Sequence, residues 1–278
     1  MAQARKRIII IGISACVACA FFASACKGNK ASSPERPESG GKPLSVSAAV
    51  LAAGAKEAES SGKLSTAKTL YQQLITDFAN SSAVGSWQKK LDELTIKLLF
   101  SPVVTPKSTL YEIQPGDTLA KIARDFKTTV DLLKISNNIK NDMIRPGEKI
   151  KVWTAPFTII VDKSQNILML KADEEIIKTY VAATGVNNST PVGTYTITNK
   201  IINPTWFKSG AVIPPGAPDN LLGTRWIGFD LAGYGIHGTS DPQSLGRQVT
   251  QGCVRLSNPD IEELYTIVPE GTEVTIID

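Results

Sequence analysis

The chain has 278 residues, with 30 Lys and Arg against 26 Asp and Glu, a net charge of +4 and 42% apolar residues. It is too long for one small core and too apolar to be disordered throughout, so two or three folded modules are expected. Arg5, Lys6 and Arg7 supply nearly all of the excess charge from the extreme N-terminus. The remainder has no basic field of the kind that holds nucleic acid, which leaves sugar polymers and short anionic peptides as partners.

Residues 1–26 follow the secretory pattern: the basic cluster Arg5 to Arg7, an apolar run from Ile8 to Phe22, then the small residues Ala23, Ser24 and Ala25. Cys26 follows directly. The junction resembles a bacterial lipobox, with Ala23 where that motif usually has Leu, and the resemblance implies lipidation of Cys26. The alternative is an uncleaved membrane anchor, because Ile8 to Ala25 nearly reaches the ~20 apolar residues that span a bilayer. Either one places the rest of the chain outside the cytoplasm, in the periplasm or cell envelope. Cys16, Cys19 and Cys26 lie in this segment and Cys253 alone lies in the folded part, so no intrachain disulfide is expected there. In an oxidising compartment a lone thiol is either buried and inert or kept for its reactivity.

From residue 27 to 43 the sequence is rich in Ser, Gly, Pro and charge, and reads as a disordered tether. Over 44–100 the periodicity is helical: Leu64, Ala67, Leu70, Tyr71, Leu74 and Phe78 recur at three- and four-residue steps, Gly62 breaks the preceding segment, and a third helix is expected from Ser86 to Leu99. The stretch GAKEAESSGKLSTAKTLYQQLITDF resembles one tetratricopeptide repeat, which implies a protein-docking surface. The bland reading is a spacer or packing element.

A linker, 101–109, precedes LYEIQPGDTLAKIARDFKTTVDLLKISNNIKNDMIRPGEKIKVW at 110–153. A short strand ends at Pro115-Gly116, Asp117 can cap a helix carrying Leu119, Ile122, Ala123 and Phe126, Thr129 can cap a second with Leu132, Leu133 and Ile135, and Pro146-Gly147 turns into a closing strand. With its GDTL start, Asn137 after the second helix and the closing IRPGEKIKV, this βααβ segment resembles a LysM domain along its whole length. The resemblance implies binding of N-acetylglucosamine-containing glycan strands in a groove lined by Gly116, Asp117, Thr118, Asn138, Ile139, Met143 and Ile144.

From residue 156 to 278 the chain reads as strands at Phe157–Val161, Ile167–Leu170, Ile176–Ala183, Thr194–Thr198, Trp226–Asp230 and Val274–Ile277, with one helix capped by Asn258; a β-rich sandwich is expected, making the whole a multidomain α+β protein. The single histidine, His237, and Cys253 stand sixteen residues apart in GYGIHGTSDPQSLGRQVTQGCVRLSNPDIEELY. An imidazole that takes the thiol proton makes such a cysteine a nucleophile towards carbonyl carbon, and the surrounding glycines allow amide N–H groups to reach a developing oxyanion. One His and one Cys cannot fill a zinc shell, so no metal is expected, and no cofactor. A papain-type peptidase is disfavoured by the order of His before Cys.

The His-Gly-Thr strand end followed by Thr-Gln-Gly-Cys-Val-Arg, together with TPVGTYTI at 190–197, resembles the L,D-transpeptidase (YkuD) catalytic domain. Many members carry a second histidine where Gln251 stands. The resemblance implies a cysteine acyltransferase acting on peptidoglycan stem peptides: Cys253 attacks the carbonyl before the terminal D-Ala, His237 draws off the thiol proton while a backbone carbonyl near Gly238 orients its ring, and amides of Gln251, Gly252 and Cys253 hold the oxyanion. Arg255 is implied to fix the turn or a substrate carboxylate. Thr250, Tyr234 and Trp226 are the remaining candidates for substrate contact, with a turn role for Thr250 and a core role for the two aromatics as the bland readings. Transfer to an amine of another stem would make a cross-link, and transfer to water would make the enzyme a carboxypeptidase. A third possibility is a wall-binding scaffold without catalysis.

Overall fold

The computed structural model describes residues 47–278 other than Ser209; the targeting segment 1–26 with Cys26, and the tether 27–43, lie outside the described residues. Three helices come first, α1 (Ala48–Ser60), α2 (Leu64–Asp77) and α3 (Val84–Leu99). Then follow β1 (Ser108–Glu112), α4 (Leu119–Asp125), α5 (Val130–Ser136) and β2 (Lys149–Trp153). The remainder is β3 (Phe157–Asp162), β4 (Ile167–Ala172), β5 (Glu175–Val181), β6 (Thr184–Gly185), β7 (Gly193–Ile202), β8 (Trp206–Lys208), β9 (Ala211–Ile213), β10 (Arg225–Phe229), β11 (Gly235–His237), β12 (Gln248–Thr250), β13 (Val254–Arg255), α6 (Asn258–Ile267) and β14 (Glu273–Ile277).

The helical period places Leu51, Ala55, Ala67, Tyr71, Leu74 and Leu94 in one small core, and Gly62 turns α1 into α2 at φ +73°. A hairpin plus a third helix is too short for a repeat array. The helices instead pack on the C-terminal sheet: buried Asp92 of α3 accepts from the Thr179 amide of β5 at 3.2 Å, and Lys68 pairs with Glu175 at 2.5 Å. Lys151 of β2 drives its ammonium into the C-terminal end of α3, donating to the carbonyls of Leu98 (2.7 Å), Leu99 (3.2 Å) and Ser101 (2.7 Å). Those carbonyls lack intrahelical partners, and the negative end of the helix favours a cation. Burial pulls the Lys151 pKa down to about 8, which still leaves it charged at neutral pH.

In the βααβ module β1 and β2 pair antiparallel from Ser108↔Trp153 to Glu112↔Lys149. The first helix is capped by Thr118, whose hydroxyl accepts from Lys121 N at 3.1 Å, and not by Asp117. The Asp117 carboxylate is taken by Tyr111 OH (2.7 Å), Gln114 N (2.9 Å) and Lys121 Nζ (2.8 Å), and these donors, Lys121 foremost, lower its pKa to about 2. Thr129 caps α5, and its hydroxyl also donates to Thr266 O of α6. Ile135 is 44% exposed and so lies outside the core. Asn137 exchanges side-chain bonds with the Lys151 amide and carbonyl (2.7 and 2.8 Å), as a strand residue would.

The six strands read from alternation all form, within one sheet of order β13-β11-β10-β7-β14-β3-β4-β5. Its two ends meet, since Ala183, just past β5, exchanges two 2.8 Å bonds with Arg255 of β13. The expected sandwich is built from this sheet, curled around a core of Ile159, Val161, Leu168, Leu170, Ile227, Ile236 and Val254, against which α6 packs Ile261 and Leu264, with the short pairs β6–β12 and β8–β9 beside it. Helix α6 is capped by Ser257, whose hydroxyl accepts from Asp260 N at 3.2 Å, and not by Asn258. Asn258 Oδ1 instead accepts from Thr224 N (3.2 Å) and Thr239 N (3.1 Å), tying together the chain before β10 and the chain after β11.

Candidate active site

Strands β11 and β13 lie parallel with Ile236 opposite Val254 and His237 opposite Arg255. Because side chains alternate along a strand, Ile236 and Val254 enter the core, fully buried, while His237, Arg255 and Cys253 project from the opposite face. That face opens into a cavity of about 630 Å³ lined by His237, Cys253, Arg255, Trp226, Tyr234, Thr250 and Gln251. The sole imidazole and the sole cysteine of the described residues thus share one pocket.

The His237 ring is 4% exposed, stacks on Trp226 (centroids 6.1 Å, 16° between planes), and sets Nδ1 2.6 Å from Gly238 O. A carbonyl oxygen can only accept, so Nδ1 carries the proton and Nε2 keeps its lone pair. Burial drives the His237 pKa down to about 4; nearby Arg255 pushes the same way, against the carbonyls of Gly238 and Leu221. At neutral pH the ring is an uncharged base.

Cys253 is half-buried, with Sγ 3.5 Å from Gly233 O. Burial raises its pKa, while the Gly235 N–H and the Arg255 charge act to lower it. The turn carrying it is locked by Thr250, which donates to Cys253 O at 2.6 Å and accepts from Gly252 N at 3.2 Å. The Thr250 hydroxyl is therefore occupied by the turn rather than offered to a ligand. The Gly252 N–H is likewise engaged, so of the three amides expected to hold an oxyanion this one is already bonded within the turn. Gly252 sits at φ +129°, and a Cβ there would come within 2.7 Å of the Tyr234 ring. Glycine is obligatory at that point.

Arg255 is 7% exposed and forms no surface ion pair; Nη1 donates to Ser244 Oγ at 3.0 Å and Nε is buried without a hydrogen-bond partner among the described residues. Trp226 is half-buried, held by Nε1 donating to Asn199 Oδ1 at 3.1 Å, and Tyr234 is half-buried; both line the pocket, and Tyr234 also packs against the core. Sequence reasoning missed the remaining walls: Ile201, Leu221, Leu222 and the β8–β9 hairpin with Trp206 and Phe207, the last 76% exposed. The apolar pairs flanking Gly210 (φ +79°) were the available hairpin signal.

In the βααβ module, Asp117, Thr118, Met143 and Ile144 line a groove of about 480 Å³, and Gly116 turns beside them at φ +84°. Asn138 and Ile139 do not belong to it. Asn138, at φ +56°, turns the chain out of α5, and both residues line a separate cavity of about 610 Å³ against Ile202, Arg225 and Tyr265. Among the described residues no group of three or more His, Cys, Asp or Glu is placed to hold a metal ion, and no helix is long and apolar enough to cross a membrane.

The family model of the L,D-transpeptidase catalytic domain, YkuD, matches residues 156–276, and that of the LysM domain matches residues 111–153. The chain is similar to a Bacillus licheniformis protein that bears the name L,D-transpeptidase YkuD, with 35% identity over 175 residues, covering 60% of this chain and 98% of that protein. The Bacillus subtilis protein of the same name is 35% identical over 173 residues, covering 60% of this chain and 97% of the relative. A second B. subtilis protein, named L,D-transpeptidase YqjB, is 41% identical over 126 residues, which span 43% of this chain and 70% of that one.

Proposed function

The chain belongs to the L,D-transpeptidase YkuD family, and from that premise we propose that it is a peptidoglycan acyltransferase in which Cys253 is the nucleophile and His237 its base. What carries the reading is the tautomer of His237: Nδ1–H is bound to Gly238 O, so Nε2 is the ring nitrogen that keeps a lone pair, in the pocket that also holds Cys253. No carboxylate is needed to orient the ring.

In this mechanism Nε2 takes the thiol proton as Sγ attacks the carbonyl joining the third residue of a tetrapeptide stem to its terminal D-Ala. The amides of Gln251 and Cys253 hold the oxyanion; loss of one such donor costs about 3 kcal/mol, or roughly a hundredfold in rate. The imidazolium, whose pKa of about 4 makes it a strong acid, returns its proton to the departing D-Ala amine. An amine of a second stem then displaces sulfur from the thioester, giving a 3-3 cross-link or anchoring a protein; water in the same place gives trimming. Arg255 supplies positive charge that favours the thiolate.

The LysM and transpeptidase domains together imply binding to peptidoglycan. We assign the glycan, N-acetylglucosamine-containing strands, to the groove of Thr118, Met143 and Ile144. The N-terminal 26 residues are assigned to export and tethering, by lipid on Cys26 or by an uncleaved anchor, so that the enzyme works in the cell envelope. The test is mass spectrometry of the purified chain incubated with disaccharide-tetrapeptide. A dimer lacking one D-Ala is expected, a tripeptide alone would mean trimming, and Cys253→Ala should lower either product by about 10³-fold or more. Turnover persisting in that variant would overturn the nucleophile assignment, and no turnover in the unaltered chain would leave a wall-binding scaffold.

A further inference from the structure

The LysM module and the catalytic domain enclose the cavity of about 610 Å³ between them, a size within the usual range of small-ligand sites. Its LysM wall is α5 and the loop after it; its other wall is Ile202 of β7, Arg225 of β10 and Tyr265 of α6. Arg225 stands opposite Ile202, and the next pair, Trp226 and Ile201, lines the catalytic pocket. Alternation along the strands therefore puts the two spaces on opposite faces of one sheet. The joint is fixed from both sides. Thr129 of α5 donates to Thr266 O, and Lys200 donates to Tyr265 O (2.6 Å) and Val268 O (2.8 Å). The centre of the Tyr265 ring lies 4.2 Å from Lys200 Nζ and 5.5 Å from the Arg225 guanidinium carbon.

Charge in this cavity is unbalanced. Lys134 is paired with Asp142 at 2.9 Å, whereas Lys140 and Arg225 form no ion pair among the described residues and share the space with one carboxylate, Asp131. Ile135 and Ile202, 44% and 55% exposed, add uncovered apolar surface. Unpaired cations beside short apolar walls suit a peptide of small side chains that carries carboxylates; a neutral sugar would leave both cations without a counter-charge. The cavity also adjoins the glycan groove. Residues 138–140 line the first space and 141–145 the second, and the Lys134–Asp142 pair joins one to the other. Peptides hang from the sugar chain of peptidoglycan, so a strand seated in the groove brings a peptide beside it.

We propose that this interdomain cavity holds the carboxylate-bearing peptide arm of the polymer whose sugars lie in the LysM groove. The proposal rests on the glycan assignment of that groove and adds a peptide requirement to it. Lys140 and Arg225 take the carboxylates, and Ile135 and Ile202 take the small side chains. Wall glycan that has kept its peptides is thus distinguished from bare glycan at a site on the reverse face of the sheet from Cys253.

The test is calorimetry of the full chain carrying Cys253→Ala, so that the ligand survives, with two probes. One is the wall tetrasaccharide bearing its tetrapeptides; the other is the same tetrasaccharide after an amidase has removed them. The peptide-bearing probe is expected to bind about fivefold more tightly, with the preference shrinking in about 0.5 M salt. Stems entering the catalytic pocket add to this preference equally in all variants, so the decisive readout is its change. Lys140→Glu and Arg225→Gln should each bring the ratio down by about threefold or more, while Lys89→Glu, a like charge reversal in α3, should leave it unchanged. Equal binding of the two probes would overturn the proposal, and so would a preference that survives Lys140→Glu. Displacement of the peptide-bearing probe by equimolar inorganic phosphate would make the cavity a general anion site and overturn it too. Binding of neither probe would remove it together with the glycan assignment, whereas binding of both alike removes it alone. Should Arg225→Gln fail to fold, Lys140→Glu still decides, because Lys140 is exposed.

Discussion

The catalytic pocket and the LysM groove are built on opposite principles. In the pocket, His237 and Arg255 face each other across a strand pair whose other side is sealed in the core, and even the flanking turn is closed by Thr250. In the groove, Met143 is 76% exposed on an open loop, and the Asp117 carboxylate is consumed by Tyr111, Gln114 and Lys121. Bond-making requires reacting atoms held to a fraction of an ångström, whereas holding a long polymer needs only a shaped surface and many weak contacts. A small displacement should therefore be ruinous in the pocket and mild in the groove.

The sharpest way to break that contrast is Gly252→Ala. The added Cβ meets the Tyr234 ring at 2.7 Å and forces an L-residue to φ +129°, shifting Cys253 and the amides on either side of it. A fall in kcat/KM of about 10²-fold is expected, with glycan binding unchanged, measured by D-Ala release and by co-sedimentation with insoluble cell wall. A smaller effect is expected of Asn258→Ala, which removes the two hydrogen bonds that bracket the β10–β11 pair. It should lower stability by about 2 kcal/mol in denaturant unfolding and activity by about tenfold. The smallest belongs to the groove: Met143→Ala should weaken wall binding a few-fold and leave D-Ala release from a soluble tetrapeptide untouched. If it instead cost as much as Gly252→Ala, the groove would be part of the catalytic machinery and the contrast would fail.

The pocket's chemistry was more legible in the sequence than its architecture. His237 and Cys253 stood out because the folded part contains one of each, and their glycine-rich segment marked where backbone comes close. The strands beside them did not: β11, which carries His237, and β13, which begins just after Cys253, span only three and two residues, too short for alternation to register. Asn258 was misread because Ser257 and Asn258 are both good caps, and only the tertiary fold decides that the first caps α6 while the second bonds to two distant amides. The LysM resemblance implied Asn138 and Ile139 in the glycan groove, whereas after the left-handed turn at Asn138 both line a different cavity. The curl of the sheet rests on the pairing of Ala183 with Arg255, seventy-two positions apart, which no local pattern encodes.

The central claim is that His237 is a neutral base with its proton on Nδ1, and it has a pH signature of known sign. The folded protein keeps the ring neutral down to about 4, whereas the unfolded chain binds a proton near 6.5. Between those values the unfolded state binds more protons, so stability falls as pH drops through that window, by about 3 kcal/mol in all, and this group adds no slope above it. Because the chain has one histidine, nitrogen NMR of the labelled protein reads this ring without ambiguity. A protonated Nδ1 and a bare Nε2 persisting from pH 8 to below pH 5 is the predicted spectrum. A ring that titrates near 6.5, or that carries its neutral-state proton on Nε2, would contradict the assignment of His237 as the base for Cys253.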